Sequence, residues 1–125
     1  MSRVGLLLVT HGRIGAAMLD EAREILGEAL ENVRVLPAAQ CTSREALHDA
    51  IADADRGDGV LVITDLGGAS PANTALQAAN GHHVAVVTGL NLPMLIRAWN
   101  YRDKALDELA RCTVEGARRG ASLLR

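Results

Sequence analysis

Aromatic residues are scarce in this chain of 125 residues: phenylalanine is absent, and there is only one tryptophan and one tyrosine. The apolar fraction is nevertheless 49%, so we expect a core built from leucine, isoleucine, valine and alanine. Proteins that bind single-stranded nucleic acid stack bases on aromatic side chains, and this chain has too few to do so. The net charge of −2 and the scattered basic residues also exclude a basic footprint for DNA or an anionic membrane.

Long hydrophobic runs are also missing, because no apolar stretch approaches the roughly 20 residues that a membrane span requires. The first apolar run, Val4–Val9, leads into Thr10 and a His-Gly pair, and no small-residue cleavage site follows. This pattern predicts a buried strand rather than a signal peptide. We therefore expect a cytoplasmic protein with no segment inserted in a membrane.

Motifs of common nucleotide-binding and hydrolytic enzymes are absent. The only lysine is Lys104 and no G-x-x-x-x-G-K-[ST] sequence occurs, which excludes a P-loop. The turn Gly12–Gly15 lacks the glycine spacing of a dinucleotide-binding loop, and no G-x-S-x-G sequence indicates an α/β-hydrolase. No acidic or cysteine ligand matches the pair His82 and His83, which we interpret as solvent-facing loop residues. We expect neither a metal nor an organic cofactor.

Short apolar runs alternate along the chain with stretches of helical periodicity. The runs predicted as strands are Val4–Val9, Val33–Leu36, Val60–Ile63 and Val84–Val87. The segments predicted as helices are Ile14–Leu30, Thr42 or Ser43 to Ala54, Ser70–Gly81, Pro93–Tyr101 and Asp103–Arg118. This alternation predicts a doubly wound α/β fold, with a mostly parallel four-stranded sheet and helices on both faces. No linker or internal repeat is visible, so we expect residues 1–125 to form a single domain.

Two polar residues follow the carboxyl ends of predicted strands, where open α/β sheets bind their ligands. His11 follows the first strand and Asp65 follows the third. If the strand order is 2-1-3-4, the two side chains face each other where the order reverses. A carboxylate bonded to one ring nitrogen leaves the other free to attack, so His11 and Asp65 are the candidate catalytic pair. The alternative is a purely structural histidine that caps a strand.

The glycine-rich segment after Asp65 is a candidate phosphate site. Gly67 and Gly68 allow successive backbone N–H groups to point at one spot. The helix predicted to begin after Ser70 adds unpaired N–H groups and a favourable dipole. The Ser70 hydroxyl either donates to a phosphoryl oxygen or caps this helix. A dianion site beside a nucleophilic histidine is the equipment that a phosphorylated histidine requires.

The chain resembles the IIA proteins of the mannose family of the bacterial sugar phosphotransferase system in three motifs, which occur in the same order as in that family. They are Val9–Gly12, Thr64–Asn73 and Gly89–Leu95, and the likeness extends to about residue 120. The resemblance implies that His11 accepts a phosphoryl group from the phosphocarrier protein HPr and passes it to a IIB protein or domain. Asp65 then matches the carboxylate that orients the ring, and Ser70 a hydroxyl near the phosphoryl group. The resemblance also implies the strand order 2-1-3-4.

The resemblance carries expectations about assembly and partners as well. It implies a homodimer, in some members through exchange of a C-terminal strand, for which Gly120–Leu124 is the candidate extra edge strand. A patch formed by Trp99 with Leu95 and Ile96 is either a dimer interface or part of the core. We expect the partner surface to be apolar with charges at its rim. The residues expected there are Arg13, Leu66, Leu90, Asn91 and Leu92.

Two positions depart from the family pattern, and several functions stay open. Gly67 stands where many relatives carry a bulky or aromatic residue, and Ala69 where many carry glycine. The chain stops soon after its last predicted helix, so we expect it to act as a separate protein. One alternative is a solitary regulator that is read by its phosphorylation state and has no transport role. The others are the IIA-like subunit of dihydroxyacetone kinase and a metal chelatase, which needs a second metal ligand near His11.

Overall fold

The structure, a computed structural model, describes residues 3–41, 43–67, 75, 79 and 81–125. Its sheet has four strands. The strands are β1 (Gly5–Thr10), β2 (Val33–Pro37), β3 (Val60–Thr64) and β4 (Val84–Thr88). Their order is β2-β1-β3-β4, and each neighbouring pair is parallel. The predicted order is therefore confirmed, and the carboxyl ends of β1 and β3 lie side by side where the order reverses.

Four α-helices connect or follow the strands within the described residues. They are α1 (Ile14–Leu26), α2 (Arg44–Ala54), α3 (Leu92–Asn100) and α4 (Leu106–Arg119), and a short 3-10 turn spans Ala38–Gln40. The helix predicted over Ser70–Gly81 lies outside the described residues, apart from Ala75, Ala79 and Gly81. Ala75 itself is fully buried and belongs to the core cluster that includes residues of β1, β3 and α2.

Two helix ends show how local chemistry sets the boundaries. Helix α1 ends at Leu26, four residues before the predicted Leu30, because Gly27 takes up the left-handed conformation at φ 66°. The Gly27 N–H donates to the carbonyl of Arg23 at 2.9 Å and closes the helix. Helix α2 begins after Ser43, whose hydroxyl accepts the Ala46 N–H at 3.0 Å.

Helices cover both faces of the sheet, and each face has its own apolar core. Along β1, Leu6 and Leu8 pack with α1, α3 and α4, whereas Leu7 and Val9 pack with α2. These four side chains are at most 1% exposed. Burial on both faces explains why the central strands are continuous apolar runs rather than alternating ones.

The patch around Trp99 belongs to the core rather than to an exposed interface. Trp99 is 6% exposed and its neighbour Leu95 is fully buried. The Trp99 indole N–H donates to Glu28 at 3.3 Å, and the guanidinium of Arg102 lies 3.4 Å from the ring centroid. Core packing is therefore the correct one of the two interpretations, and little of the indole is available to a second copy.

A close approach between β1 and the last turn of α2 requires glycine at position 5. A Cβ on Gly5 would lie 1.9 Å from the carbonyl oxygen of Ala54. We expect Gly5→Ala to lower the free energy of unfolding by about 3 kcal/mol or more, because a backbone atom cannot move aside as a side chain does. Urea denaturation measures this loss.

The matched control for this substitution is Gly27→Ala. A Cβ at Gly27 meets nothing within 4 Å, and only the left-handed φ of 66° opposes it. We expect that variant to lose about 1–2 kcal/mol. A Gly5→Ala protein that is as stable as Gly27→Ala would contradict the contact.

Candidate active site

The carboxyl ends of β1 and β3 bring His11 and Asp65 into direct contact. The Nδ1 atom of His11 lies 3.1 Å from each carboxylate oxygen of Asp65. The His11 backbone N–H also donates to Asp65 Oδ2 at 2.9 Å. One carboxylate therefore holds both the main chain and the ring of the same residue, and the juxtaposition predicted from the strand order is present.

The two members of the pair differ strongly in exposure. The His11 side chain is 57% exposed, whereas that of Asp65 is 12% exposed. An ionised carboxylate can only accept, so the Nδ1 atom of a neutral ring carries the proton that lies between them. The lone pair then resides on Nε2, and no described residue bonds to that atom. This arrangement can attack an electrophile that another molecule brings.

The carboxylate of Asp65 is kept ionised by its partner. Burial disfavours the charged form and acts to raise the pKa of Asp65, but hydrogen bonds from the His11 backbone and ring outweigh it. The pKa of Asp65 therefore lies below its ordinary value. At neutral pH the negative charge is in place to stabilise positive charge that develops on the ring.

The turn that carries His11 is short and tightly bonded. Gly12 takes up the left-handed conformation at φ 50°, which glycine adopts without strain. The Ile14 N–H donates to the His11 carbonyl at 3.2 Å. The hydroxyl of Thr10 accepts the Gly15 N–H at 2.9 Å, so the residues on either side of the turn are joined.

The turn that carries Asp65 is held through Thr64. The Thr64 carbonyl accepts two N–H groups from the loop after β4, from Gly89 at 2.9 Å and from Leu90 at 3.0 Å. The Thr64 hydroxyl donates to the Leu66 carbonyl at 3.4 Å. These bonds connect the end of β3 to the neighbouring loop and fix the residue that precedes the carboxylate.

Thr10 and Thr64 are residues around the site that the sequence prediction missed. Each is 1% exposed, and each is the last residue of its strand. Strand β4 also ends on a threonine, Thr88, which pairs in register with Thr64. A threonine at the end of three of the four strands is the signal in the sequence that points to these positions.

Of the three residues predicted to bind phosphate, only Gly67 is described. Gly68 and Ser70 lie outside the described residues. Gly67 is exposed, and a Cβ at this position would lie 3.0 Å from the Thr88 hydroxyl oxygen and 3.3 Å from its Cβ. The end of β4 thus leaves little room for a side chain at this position, so glycine fits here without displacing Thr88.

The residues predicted on the partner surface lie in different environments. Leu66 is 63% exposed, Arg13 is exposed and Leu92 is half-buried. Leu90 is only 7% exposed and packs in the core with Met94, so its predicted place on the partner surface is wrong. The physical reason is that the Leu90 backbone bonds to the end of β3, which draws the side chain inward.

Asn91, also predicted on the partner surface, serves the fold. Its Oδ1 accepts the Met94 N–H at 2.9 Å and caps α3. Its Nδ2 donates to the Ala117 carbonyl at 3.2 Å. The half-buried amide therefore ties the loop after β4 to α4, and both of its polar atoms have partners in the chain.

A second histidine–aspartate pair lies before the amino ends of β3 and β4. The His82 Nδ1 is 2.7 Å from Asp55 Oδ2, and the two side chains are 26% and 16% exposed. Asp55 Oδ1 also accepts the N–H groups of Gly57 and Gly59, at 2.8 and 3.3 Å. The interpretation of His82 as solvent-facing is wrong because Asp55 holds it against the chain. The neighbouring His83 is 66% exposed, as predicted.

Two features are absent from the described parts of the chain. No group of three or more histidine, cysteine, aspartate or glutamate side chains is arranged to hold a metal ion in those parts of the chain. In the same ranges, no helix combines the length and apolar content of a membrane span.

The fold and the pair define a doubly wound α/β protein with an exposed, carboxylate-bound histidine at its topological switch point. Residues 5–112 match the family described as the PTS system fructose IIA component. The chain therefore belongs to this family, the mannose-type IIA components of the phosphotransferase system. It is 32% identical over 129 residues to the mannose-specific EIIAB component of Escherichia coli strain K12. That alignment covers 98% of this chain but only 40% of the length of the relative.

Solved structures agree with this assignment. The mannose/sorbose specific IIA subunit of the phosphotransferase system from Enterococcus faecalis superposes with a TM-score of 0.78 at 26% identity, covering 98% of this chain and 96% of that one. The IIA protein associated with the fucose utilization operon of Streptococcus pneumoniae superposes with a TM-score of 0.77 at 27% identity, with the same coverage. The doubly wound fold is therefore shared over almost the entire chain.

The lowered pKa of Asp65 predicts a stability contribution that depends on pH. In the unfolded chain this pKa is about 4, so the contribution is present above that pH and is lost as the pH falls through the folded value. We expect Asp65→Asn to lower the free energy of unfolding by about 1–3 kcal/mol at neutral pH and by less near about pH 2. Urea titrations at both pH values measure the difference.

Asp20→Asn is the control for the pH dependence, because the Asp20 carboxylate is 74% exposed. We expect this variant to remain within about 0.5 kcal/mol of wild type at both pH values. A deficit in Asp65→Asn that has the same size in acid as at neutral pH would contradict the role of the ionised carboxylate.

Proposed function

We propose that this chain is a phosphoryl carrier of the sugar phosphotransferase system that is phosphorylated on His11. The observation that carries the proposal is the exposed imidazole whose Nδ1 lies 3.1 Å from both oxygens of Asp65. Membership of the family supports the phosphocarrier protein HPr as the donor and a IIB protein or domain as the acceptor. The chain itself then supplies the relay between them.

The transfer is an in-line displacement between two histidines. The lone pair on His11 Nε2 attacks the phosphorus atom of the donor's phosphohistidine, opposite the P–N bond that breaks. A new P–N bond forms at Nε2, and the electron pair of the broken bond returns to the donor's imidazole. Asp65 keeps the proton on Nδ1 throughout and stabilises the charge that develops on the ring. The onward step to the acceptor repeats the displacement in the opposite sense.

The surroundings of the pair suit a visiting protein better than a small molecule. Leu66 follows Asp65 directly and is 63% exposed, and Ile14 at the start of α1 is 41% exposed. Arg13 lies between His11 and Ile14 and is also exposed. Exposed apolar side chains next to a charge supply contact area and electrostatic steering at a transient interface. The nucleophile therefore lies on an open face that another protein's phosphohistidine can reach.

Phosphorylation of the purified chain tests the proposal. Incubation with phosphoenolpyruvate and the general phosphotransferase components should add one acid-labile phosphate to the wild-type protein. His11→Ala should accept none, because the substitution removes the nucleophile. The matched control is His83→Ala, which removes a histidine that is 66% exposed and should leave labelling unchanged. A wild-type chain that fails to label, or full labelling of His11→Ala, would refute the assignment.

We also propose that the chain forms a homodimer through the open edge of β4. This strand ends the sheet, and a groove of about 470 Å³ lies between it and α4. The groove is lined by apolar side chains such as Val86 and Val114, with Arg118 among its lining residues. The extra edge strand predicted over Gly120–Leu124 is not confirmed, since residues 121–125 have no regular structure in the single chain. Leu123 and Leu124 there are 76% and 88% exposed.

An open strand edge, together with exposed leucines near the end of the chain, supports pairing between two copies. We expect the wild-type chain to sediment as a dimer at micromolar concentration, and the variant with both Leu123→Asp and Leu124→Asp to sediment as a monomer. Ile25→Asp is the control, because Ile25 is 59% exposed on α1 and this change should leave the dimer intact. Monomeric wild-type protein, or a dimer that survives both leucine substitutions, would overturn this mode of assembly.

A further inference from the structure

We propose that Thr10 is a positioning residue for phosphoryl transfer, acting through the backbone of α1 to hold the His11 ring against Asp65. The inference rests on the proposed function of His11. It concerns a residue that does not touch the reacting atoms, so its effect is predicted from the hydrogen bonds that define the turn between β1 and α1.

Helix α1 begins without an ordinary side-chain cap. Its N-cap residue is Arg13, which has φ −105° and ψ 10° and makes no capping hydrogen bond with its side chain. The first N–H groups of a helix have no acceptor within the helix and need one from elsewhere. Gly15 is the second residue of α1, and the Thr10 hydroxyl accepts its N–H at 2.9 Å. Thr10 therefore replaces the missing cap from the other side of the turn.

This hydrogen bond closes a loop of main chain that includes the nucleophile. Thr10 and Gly15 are the two ends of the loop, and His11 lies between them in the sequence. On the far side, the His11 N–H donates to Asp65 at 2.9 Å. The main chain of His11 is thus held from two directions, by a carboxylate at the end of β3 and by a helix terminus bonded to the end of β1.

The contact is close enough to require glycine as the donor. A Cβ on Gly15 would lie 2.6 Å from the Thr10 hydroxyl oxygen and 3.1 Å from the Val35 side chain. Thr10 is 1% exposed, so water does not readily replace its hydroxyl. Without the hydroxyl, the Gly15 N–H is buried with no acceptor, and the helix terminus has to move to find one.

A small movement of this turn changes the chemistry of the ring. Nδ1 lies at 3.1 Å from both Asp65 oxygens, which is already long for a charge-assisted hydrogen bond. A further displacement frees the proton to occupy either ring nitrogen, and the fraction of His11 with a lone pair on Nε2 falls. Misplacement of a reacting group by about 1 Å can slow a reaction by about 100-fold.

Two substitutions at Thr10 separate the hydroxyl from the volume of the side chain. Thr10→Val keeps the shape and removes the hydroxyl, whereas Thr10→Ser keeps the hydroxyl. The matched control is Thr113→Val, because Thr113 is fully buried in α4 and its hydroxyl has no partner among the described residues. We expect Thr10→Val to lower the rate constant for transfer from phosphorylated HPr by about 10- to 100-fold. Thr10→Ser and Thr113→Val should remain within about threefold of wild type.

Nitrogen NMR of the His11 ring supplies a readout that a merely structural role would not move. In the unphosphorylated wild-type chain with a neutral His11 ring, we expect a protonated Nδ1 and an unprotonated Nε2. In Thr10→Val both nitrogen shifts should move towards the average of two tautomers. Thr10→Ser and Thr113→Val should keep the wild-type shifts. This measurement needs no phosphoryl donor, so it tests Thr10 even if the wild-type chain accepts no phosphate and the proposed function fails.

Several outcomes would overturn the inference. Thr10→Val with wild-type nitrogen shifts, or with a transfer rate within about twofold of Thr113→Val, would show that the hydroxyl does not position the ring. If Thr10→Val does not fold, Thr10→Ser decides, because averaged tautomers in a chain that retains the hydroxyl would contradict the proposal. Averaged tautomers and slow transfer in Thr10→Val, together with wild-type behaviour of Thr10→Ser, would support it.

Discussion

The carboxylate of Asp65, bound to both the backbone and the ring of His11, is the interaction on which the candidate site depends. The two residues are 54 positions apart in the chain, and only the adjacency of β1 and β3 brings them within 3.1 Å. Because the strands are parallel, both residues emerge at the same edge of the sheet. The same carboxylate selects the tautomer of the His11 ring and supplies the negative charge beside it. One side chain therefore both joins the two strand ends and sets the chemistry of the ring.

The sheet fixes the positions of both residues because they follow its two central strands. Strands β1 and β3 are buried on both faces, and the order β2-β1-β3-β4 gives each of them two neighbours. Beyond the strands, threonines extend the hydrogen bonding into the loops, through the Thr10 hydroxyl and the Thr64 carbonyl. Groups that belong to the strands thereby hold the loops that carry His11 and Asp65. Side chains on these loops are therefore positioned more accurately than loops alone would allow.

The sequence predicts what depends on local pattern and misses what depends on contacts between loops. Apolar runs and helical periodicity predict the four strands, and polar residues at strand ends predict the pair His11 and Asp65. The burial of Leu90 was missed because it follows from backbone bonds to Thr64, which no periodicity reveals. The contact between His82 and Asp55 was missed for the same reason, since the two residues come from different loops. The capping role of Thr10 needs the geometry of a turn, which residue type alone leaves open.

Among the described residues, two histidine–aspartate pairs have the same Nδ1–carboxylate contact, and their surroundings support His11 rather than His82 as the proposed phosphoryl site. His82 is 26% exposed, against 57% for His11, so a partner reaches it less readily. Asp55 also lines a cavity of about 550 Å³ together with two further aspartates, Asp58 and Asp103, and with only one lysine. A phosphoryl dianion there would meet the carboxylates of Asp58 and Asp103 as well as that of Asp55, whereas among the described residues Asp65 is the only acidic side chain bonded to His11. Access and neighbouring charge, rather than the histidine–aspartate contact itself, therefore support the proposed role of His11 over one for His82.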